Sequence, residues 1–130
     1  MPDEMPKGRY PYQVPVDAYG SGGFRFAGMS HRGSLLCLPT GMEAWRISDP
    51  GEVTLESLAP VLAVADRIDV LFIGLGPDIA ALDPAIRAAF RERQVIVEAV
   101  ATRSAVTTYN VLLAEQRPIA AALLAVERAR

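Results

Sequence analysis

The sequence is poor in the residues from which reactive and metal centres are most often built: it has one cysteine, Cys37, and one histidine, His31. A lone pair of such residues cannot supply a tetrahedral zinc site within one chain, and a single thiol cannot close an intramolecular disulfide. No metal site is expected, and the unpaired cysteine fits a reducing, cytoplasmic compartment. Charge of one sign is also missing, with 13 Lys and Arg against 15 Asp and Glu. That balance lacks the excess that neutralises phosphates along a nucleic acid, so nucleic-acid binding is not expected. Long hydrophobic runs are absent as well: the longest uninterrupted one, Ile119 to Val126, falls short of the roughly 18 residues a membrane span requires. No membrane insertion is expected. Residues 1–15 hold Pro2, Pro6, Pro11 and Pro15 among mixed charges, without the apolar core of a secretory signal or the acid-poor character of a transit peptide. They read as a flexible N-terminal arm ahead of a single domain over residues 16–130.

What is present is glycine, then alternation. Half of the ten glycines fall between Gly20 and Gly33, a density that marks tight turns and close backbone approach. Phe24 and Phe26 alternate with Arg25. Past a polar turn around Ser30 to Gly33, Ser34-Leu35-Leu36-Cys37-Leu38 reads as a second strand ended by Pro39. Met42 to Ile47 gives a third, with Trp45 and Ile47 on one face. This first half is therefore an antiparallel β element, closed by the Asp49-Pro50-Gly51 turn.

Beyond residue 52 helices and strands alternate. Thr54 can cap a helix bearing Leu55, Leu58, Ala59, Leu62 and Ala65, with Pro60 either separating its first turn or kinking it. Val70 to Ile73 is a continuous apolar run, as in a strand covered on both faces. Asp83 caps a second helix with Pro84 at its first position and Ile86, Ala89 and Phe90 as its buried stripe. Val95 to Ala101 is the next strand. Thr102 or Ser104 opens a third helix that Pro118 ends, and Ile119 to Val126 is the last strand. Strands joined through helices imply crossovers and a sheet sandwiched between helices. The expected fold is α/β: a three-layer sandwich with a mixed central sheet flanked by helices, plus the additional N-terminal antiparallel element.

The candidate chemistry is sparse. Gly74-Leu75-Gly76-Pro77 follows the central strand, where ligands of open α/β sheets bind. The dinucleotide fingerprint fails, because Ile79 stands where a small residue is needed and the helix starts only at Asp83. A triphosphate loop would need a Lys-Ser or Lys-Thr pair that is missing. No cofactor is therefore expected. The turn reads as glycine leading away from the sheet, with a binding cleft as the alternative. Cys37 lies in an apolar strand and reads as an inert core residue, and His31 as a turn residue, against a Cys-His dyad as the sharper alternative. Thr107-Thr108-Tyr109-Asn110 places poor helix formers inside a helix. Either Tyr109 packs while Asn110 fixes a loop, or they line a pocket. Candidate ligand-binding residues are thus Gly74, Gly76, Arg103, Thr108, Tyr109 and Asn110, with Arg103 as the anion contact. Candidate protein-interaction residues are Phe24, Phe26 and Trp45, either as an exposed aromatic patch or, equally, as core. No catalytic residue emerges, and an enzyme is the less favoured class. The sequence sets no oligomeric state.

Asp17-Ala18-Tyr19, Gly23-Phe24, the Gly74-Leu75-Gly76 turn, Val97-Glu98 after Gln94, Thr102 with Thr108-Tyr109-Asn110, and Ala120-Ala121-Ala122-Leu123-Leu124 occur together in this order. Over residues 16 to 126 they resemble the small α/β domain family of bacterial proteins that includes mitochondrial complex I assembly factor 3 and the adipogenesis-associated domain proteins. The resemblance implies a three-layer α/β sandwich and a non-catalytic accessory role, exercised by binding a protein partner, as in assembly of NADH:ubiquinone oxidoreductase. It carries over no catalytic residue. Val106 stands where the mitochondrial relative often has Cys, which weakens any thiol chemistry at that helix. The absence of a transit peptide fits a bacterial member.

Overall fold

A computed structural model describes residues 4–128. Its centre is a six-stranded sheet in the order β1-β6-β5-β9-β7-β8, built from Arg9–Tyr10 (β1), Ser34–Leu38 (β5), Gly41–Trp45 (β6), Val70–Gly74 (β7), Ile96–Val100 (β8) and Ile119–Leu123 (β9). A separate antiparallel sheet of three strands, Ala18–Gly20 (β2), Gly23–Phe26 (β3) and Met29–Arg32 (β4), lies beside it. The expected three-layer α/β sandwich with an added antiparallel element is the architecture observed.

The layers follow from chain direction. β7 is parallel to both β8 and β9, whereas β5 is antiparallel to β9 and β6. From β7 to β8 the chain moves one strand outward through Pro84–Glu92 (α2); from β8 to β9 it returns across β7 through Thr102–Ala114 (α3). Crossovers of one hand made in opposite directions put their helices on opposite faces. Accordingly one core joins Ile86 and Phe90 of α2, and Leu58 and Val61 around the short helix Ala59–Leu62 (α1), to Leu36, Leu71 and Ile73. The other joins Ala105, Val106 and Tyr109 of α3, and Phe24 and Phe26 of the small sheet, to Leu35, Cys37 and Phe72. With both faces covered, all five residues of β5 and of β9 are buried. This is why β9 reads as an unbroken apolar run and β5 as one from Leu35 onward.

Local chemistry sets most boundaries. The Asp83 carboxylate accepts the Ala85 amide with Pro84 inside the first turn, as expected. Pro60 confines α1 to residues after Leu58, and Thr54 and Ser57 form a separate turn ahead of it, with the Ser57 amide donating to the Thr54 hydroxyl. The expected polar turn over Ser30 to Gly33 is a correction. Met29–Arg32 is a strand paired to β3, and the reversal sits two residues earlier at Ala27 and Gly28, both at positive φ. That backbone suits the twist of a tight hairpin. The third helix does begin at Thr102, but Ala101 occupies the capping position and the Thr102 hydroxyl is directed elsewhere. The last strand ends at Leu123, and the chain runs on as an extension.

The segment expected to form an arm lies against the domain through its described residues. Met5 is buried, β1 pairs with β6, and Gln13 donates to the Ile119 carbonyl. Residues 1–3 of that arm lie outside the described residues. Among the described residues no helix is long and apolar enough to cross a membrane.

Candidate functional site

At the C-terminal ends of the parallel strands, the chain after β7 turns over the start of α3. Leu75 donates to the Val100 carbonyl, and Leu124 to the Gly74 carbonyl. Thr102, fully buried, is the knot: its amide donates to the Gly76 carbonyl at 2.8 Å, its hydroxyl accepts the Gly76 amide at 3.0 Å and donates to the Leu124 carbonyl at 2.8 Å. The approach is so close that a Cβ on Gly74 would stand 2.9 Å from the Thr102 Cα. Gly76 has φ of +102° with open space beside it, a conformation that side-chain-bearing residues rarely adopt. The glycines of this turn therefore serve the strand-to-helix junction. The Leu75 and Gly76 amides are spent inside the protein, and Pro77 has none to offer.

Above the knot lies a groove of about 520 Å³ with Gly76, Pro77 and Asp78 on one side and Ala125 to Arg128 on the other, closed by Tyr19 and Arg103. Arg103 and Arg128 line it together with Asp78 and Glu127, so the groove is mixed in charge rather than uniformly basic. The Arg103 and Ser104 amides belong to the first turn of α3, where the helix dipole is positive. A shallower groove of about 370 Å³ adjoins it, holding Thr107 and Thr108 with Arg103 and Tyr19.

The sequence-derived set divides accordingly. Gly76 and Arg103 share the larger groove, Thr108 borders the smaller one, and Gly74 lies beneath as a packing glycine. Tyr109 and Asn110 point away. The Tyr109 hydroxyl donates to the Val14 carbonyl at 2.8 Å, while Asn110 accepts from the Val16 amide at 2.9 Å and donates to the Val16 carbonyl at 2.8 Å. Both hold the strap that leads into the small sheet, so the loop-fixing alternative is the one observed. Phe24, Phe26 and Trp45 are buried, and the Trp45 indole donates to the Ser57 carbonyl. The exposed-patch expectation is corrected: alternation on β3 turns both Phe rings inward, and Trp45 faces the α1 layer.

Nor do His31 and Cys37 act together. His31, 8% exposed on β4, directs Nε2 to the Ser34 carbonyl at 2.9 Å. A carbonyl only accepts, so that nitrogen carries the proton. Cys37 is wholly buried, and burial pushes its thiol far above the ordinary range, opposed in part by a contact from the Tyr109 hydroxyl. Burial likewise lifts the Tyr109 phenol. A thiol held neutral is a poor nucleophile. Sequence reasoning missed the central role of Thr102, taken there only as a helix opener. Its partners Gly76 and Leu124 are 26 and 22 residues away, and no local pattern announces them.

Fold and cleft define a class: a small mixed-sheet α/β sandwich in which the polar side chains singled out from the sequence mostly fasten one part of the fold to another. Within that class the chain belongs to the family described as Protein of unknown function (DUF498/DUF598), which matches residues 16–124. It is 39% identical over 111 residues to a protein of Rhodobacter capsulatus, covering 85% of this chain and 84% of that one. It is 33% identical over 109 residues to NADH dehydrogenase (ubiquinone) 1 alpha subcomplex assembly factor 3 of Xenopus tropicalis. That match covers 84% of this chain and 60% of the frog protein, so the chain spans well under two thirds of the assembly factor. The crystal structure of an outer membrane protein from Bartonella henselae superposes with a TM-score of 0.87 at 45% identity, over 91% of this chain and 99% of that one. The family inferred from the residues is the family found.

Proposed function

We propose that the protein is a non-catalytic accessory protein of the assembly-factor kind, working in the bacterial cytoplasm by binding other proteins, with respiratory complex I as the assembly it serves. The observation that carries this reading is the match along 84% of the chain to a protein named as a complex I assembly factor. Two features support it. His31, Tyr109 and Asn110 are engaged in holding the fold, and the sole thiol is shielded. In this reading residues 16–130 are the working domain. The test is deletion of the gene in its host, with respiratory complexes resolved on native gels. The expected result is loss of mature complex I with accumulation of a subcomplex, restored by the gene in trans; unchanged complex I in a host that makes it refutes the role.

A second reading uses the groove over Thr102 as a site for a small anion. It is favoured by Arg103 standing at the N-terminus of a 13-residue helix beside a groove of about 520 Å³. Thermal shift with inorganic phosphate and small carboxylates tests it. Stabilisation of the wild type that disappears in Arg103→Ala supports the groove, and equal stabilisation of both chains removes it.

A further inference from the structure

The central sheet ends at β8, and that edge leaves backbone unpaired. β7 and β8 are parallel, and in a parallel ladder alternate residues turn both N–H and C=O toward the same neighbour. The Ile96 amide donates to the Asp69 carbonyl and the Val100 carbonyl accepts from Leu75. Ile96, Glu98 and Val100 therefore face β7, while Val97 and Ala99 turn their backbone groups outward. Arg87 of α2 reaches across to donate to the Val97 carbonyl. Among the described residues nothing takes the Val97 amide, the Ala99 amide or the Ala99 carbonyl. An edge of this kind is a template for another strand.

The two rims of the edge differ in chemistry. On the α2 side Arg87 and Arg91 are both exposed, and their four-residue spacing puts them on one helix face. On the α3 side Ile96 is 61% exposed and Glu98 follows on the same face of the strand. A carboxylate from an incoming strand would meet cations on the first rim and Glu98 on the second, which fixes the phase of an alternating segment.

We propose that the β8 edge takes up one extended segment of a partner protein in which acidic and apolar residues alternate, the acids toward Arg87 and Arg91 and the apolar side chains toward Ile96. This rests on the protein-binding reading above and names its surface. The segment gains main-chain bonds to Val97 and Ala99. An acid seated on Arg87 draws the guanidinium off the Val97 carbonyl, which then joins the new ladder. A second copy of this chain fits less well. Antiparallel self-pairing centred on Glu98 sets two glutamates opposite each other, and pairing centred on Val97 requires both copies to release Arg87 with no acid to receive it. Pairing centred on Ala99 runs each strand off the other's end, where α3 begins at Thr102.

The test is a titration of the labelled protein with two synthetic peptides, one alternating Glu and Val and one alternating Lys and Val, read by amide NMR. The Glu-Val peptide should shift the Val97 and Ala99 amides, and the Lys-Val peptide should not. Arg87→Glu should weaken binding by at least about tenfold through like-charge repulsion. Ala99→Pro should abolish it, because the lost donor points outward and the ladder to β7 is kept. Trp45 fluorescence reports whether each variant is folded, and Arg87→Glu, at an exposed position, decides the matter if Ala99→Pro does not fold. Unmoved Val97 and Ala99 amides at millimolar Glu-Val peptide, or equal binding by Arg87→Glu, overturns the proposal. So does a dimer in sedimentation that Ala99→Pro dissolves, since the edge then belongs to a second copy. In the deletion strain, Arg87→Glu should fail to restore complex I. Full restoration overturns the edge while leaving the assembly role standing, whereas peptide binding without any deletion phenotype keeps the edge and removes that role.

Discussion

Replacing Thr102 by valine changes almost nothing in shape and removes one oxygen, which makes it the sharpest probe of the junction between β7, α3 and the extension after β9. That oxygen donates to the Leu124 carbonyl at 2.8 Å and accepts from the Gly76 amide at 3.0 Å. In Thr102→Val both groups lose their partner, and an orphaned buried group costs about 1–3 kcal/mol. The Leu124 carbonyl carries the full penalty, since its residue is 1% exposed. Gly76 lines the groove, so water offsets part of its loss. The sum is about 2–4 kcal/mol, a large share of the roughly 5–15 kcal/mol by which a domain is stable. Thr102→Ser keeps the oxygen and deletes a methyl, for about 1 kcal/mol. The order is thus the reverse of what side-chain hydrophobicity suggests: the serine variant is the more stable. Urea unfolding followed by the fluorescence of Trp45, the sole tryptophan and buried, measures both, with an unchanged denaturant slope as the check that only stability has moved. A valine variant as stable as the serine variant refutes the argument that these two bonds hold the junction.

Three further outcomes follow from the same geometry. Asn110→Ala deletes both bonds to Val16 and should cost about 1–3 kcal/mol, with faster hydrogen exchange at the Val16 amide; unchanged exchange there would show that the strap is held by other contacts. Cys37, wholly buried, should react with a thiol-labelling disulfide only as fast as the protein opens, so that labelling accelerates with urea; rapid labelling of the native chain contradicts this. Glu52, exposed, accepts the Ser48 and Asp49 amides, which hold its carboxyl below the ordinary value. A carboxyl lowered on folding stabilises above its unfolded pKa, and that contribution is lost as pH falls through the folded pKa. The melting-temperature gap between wild type and Glu52→Gln should therefore be present at neutral pH and close in acid, and a gap independent of pH tells against it.

The fold was legible where its causes are local. β7 shows as four consecutive apolar residues, α2 as Asp83-Pro84 ahead of a stripe, and the end of α3 as Pro118, because composition and capping act within a few residues of the chain. β4 was not legible. Only His31 among its four residues is buried, so its alternation is faint beside the glycines that flank it, and the true reversal uses Ala27, a residue that seldom adopts positive φ. The site was legible only as residue types. Tyr109 and Asn110 were singled out as anomalous in a helix, correctly, but their partners Val14 and Val16 lie 95 and 94 residues earlier. A pattern at short range can flag that such residues have a job without showing where the other half of the contact is. The same limit applies to Phe24, Phe26 and Trp45, whose alternation fixes a shared face and not which face the rest of the chain covers.

The two surfaces that stand out are mechanically independent, which lets them be examined apart. Both walls of the groove are tied to Thr102, one through the Gly76 amide and carbonyl, the other through the Leu124 carbonyl. The second wall also anchors the small sheet, since Ser21 and Gly22 donate to the Glu127 and Val126 carbonyls. Loosening Thr102 therefore deforms the groove and the seating of the small sheet together. The outward groups of β8 hang on a different support, the ladder to β7 and the packing of Val97 against α2, neither of which passes through Thr102. A ligand held in the groove must respond to Thr102→Val, which removes the oxygen that ties both walls, and ignore Arg87→Glu, and a strand held on the edge must do the opposite. A partner that responds to both touches both surfaces at once, reaching around the sheet from its β8 edge to the strand ends at Gly76.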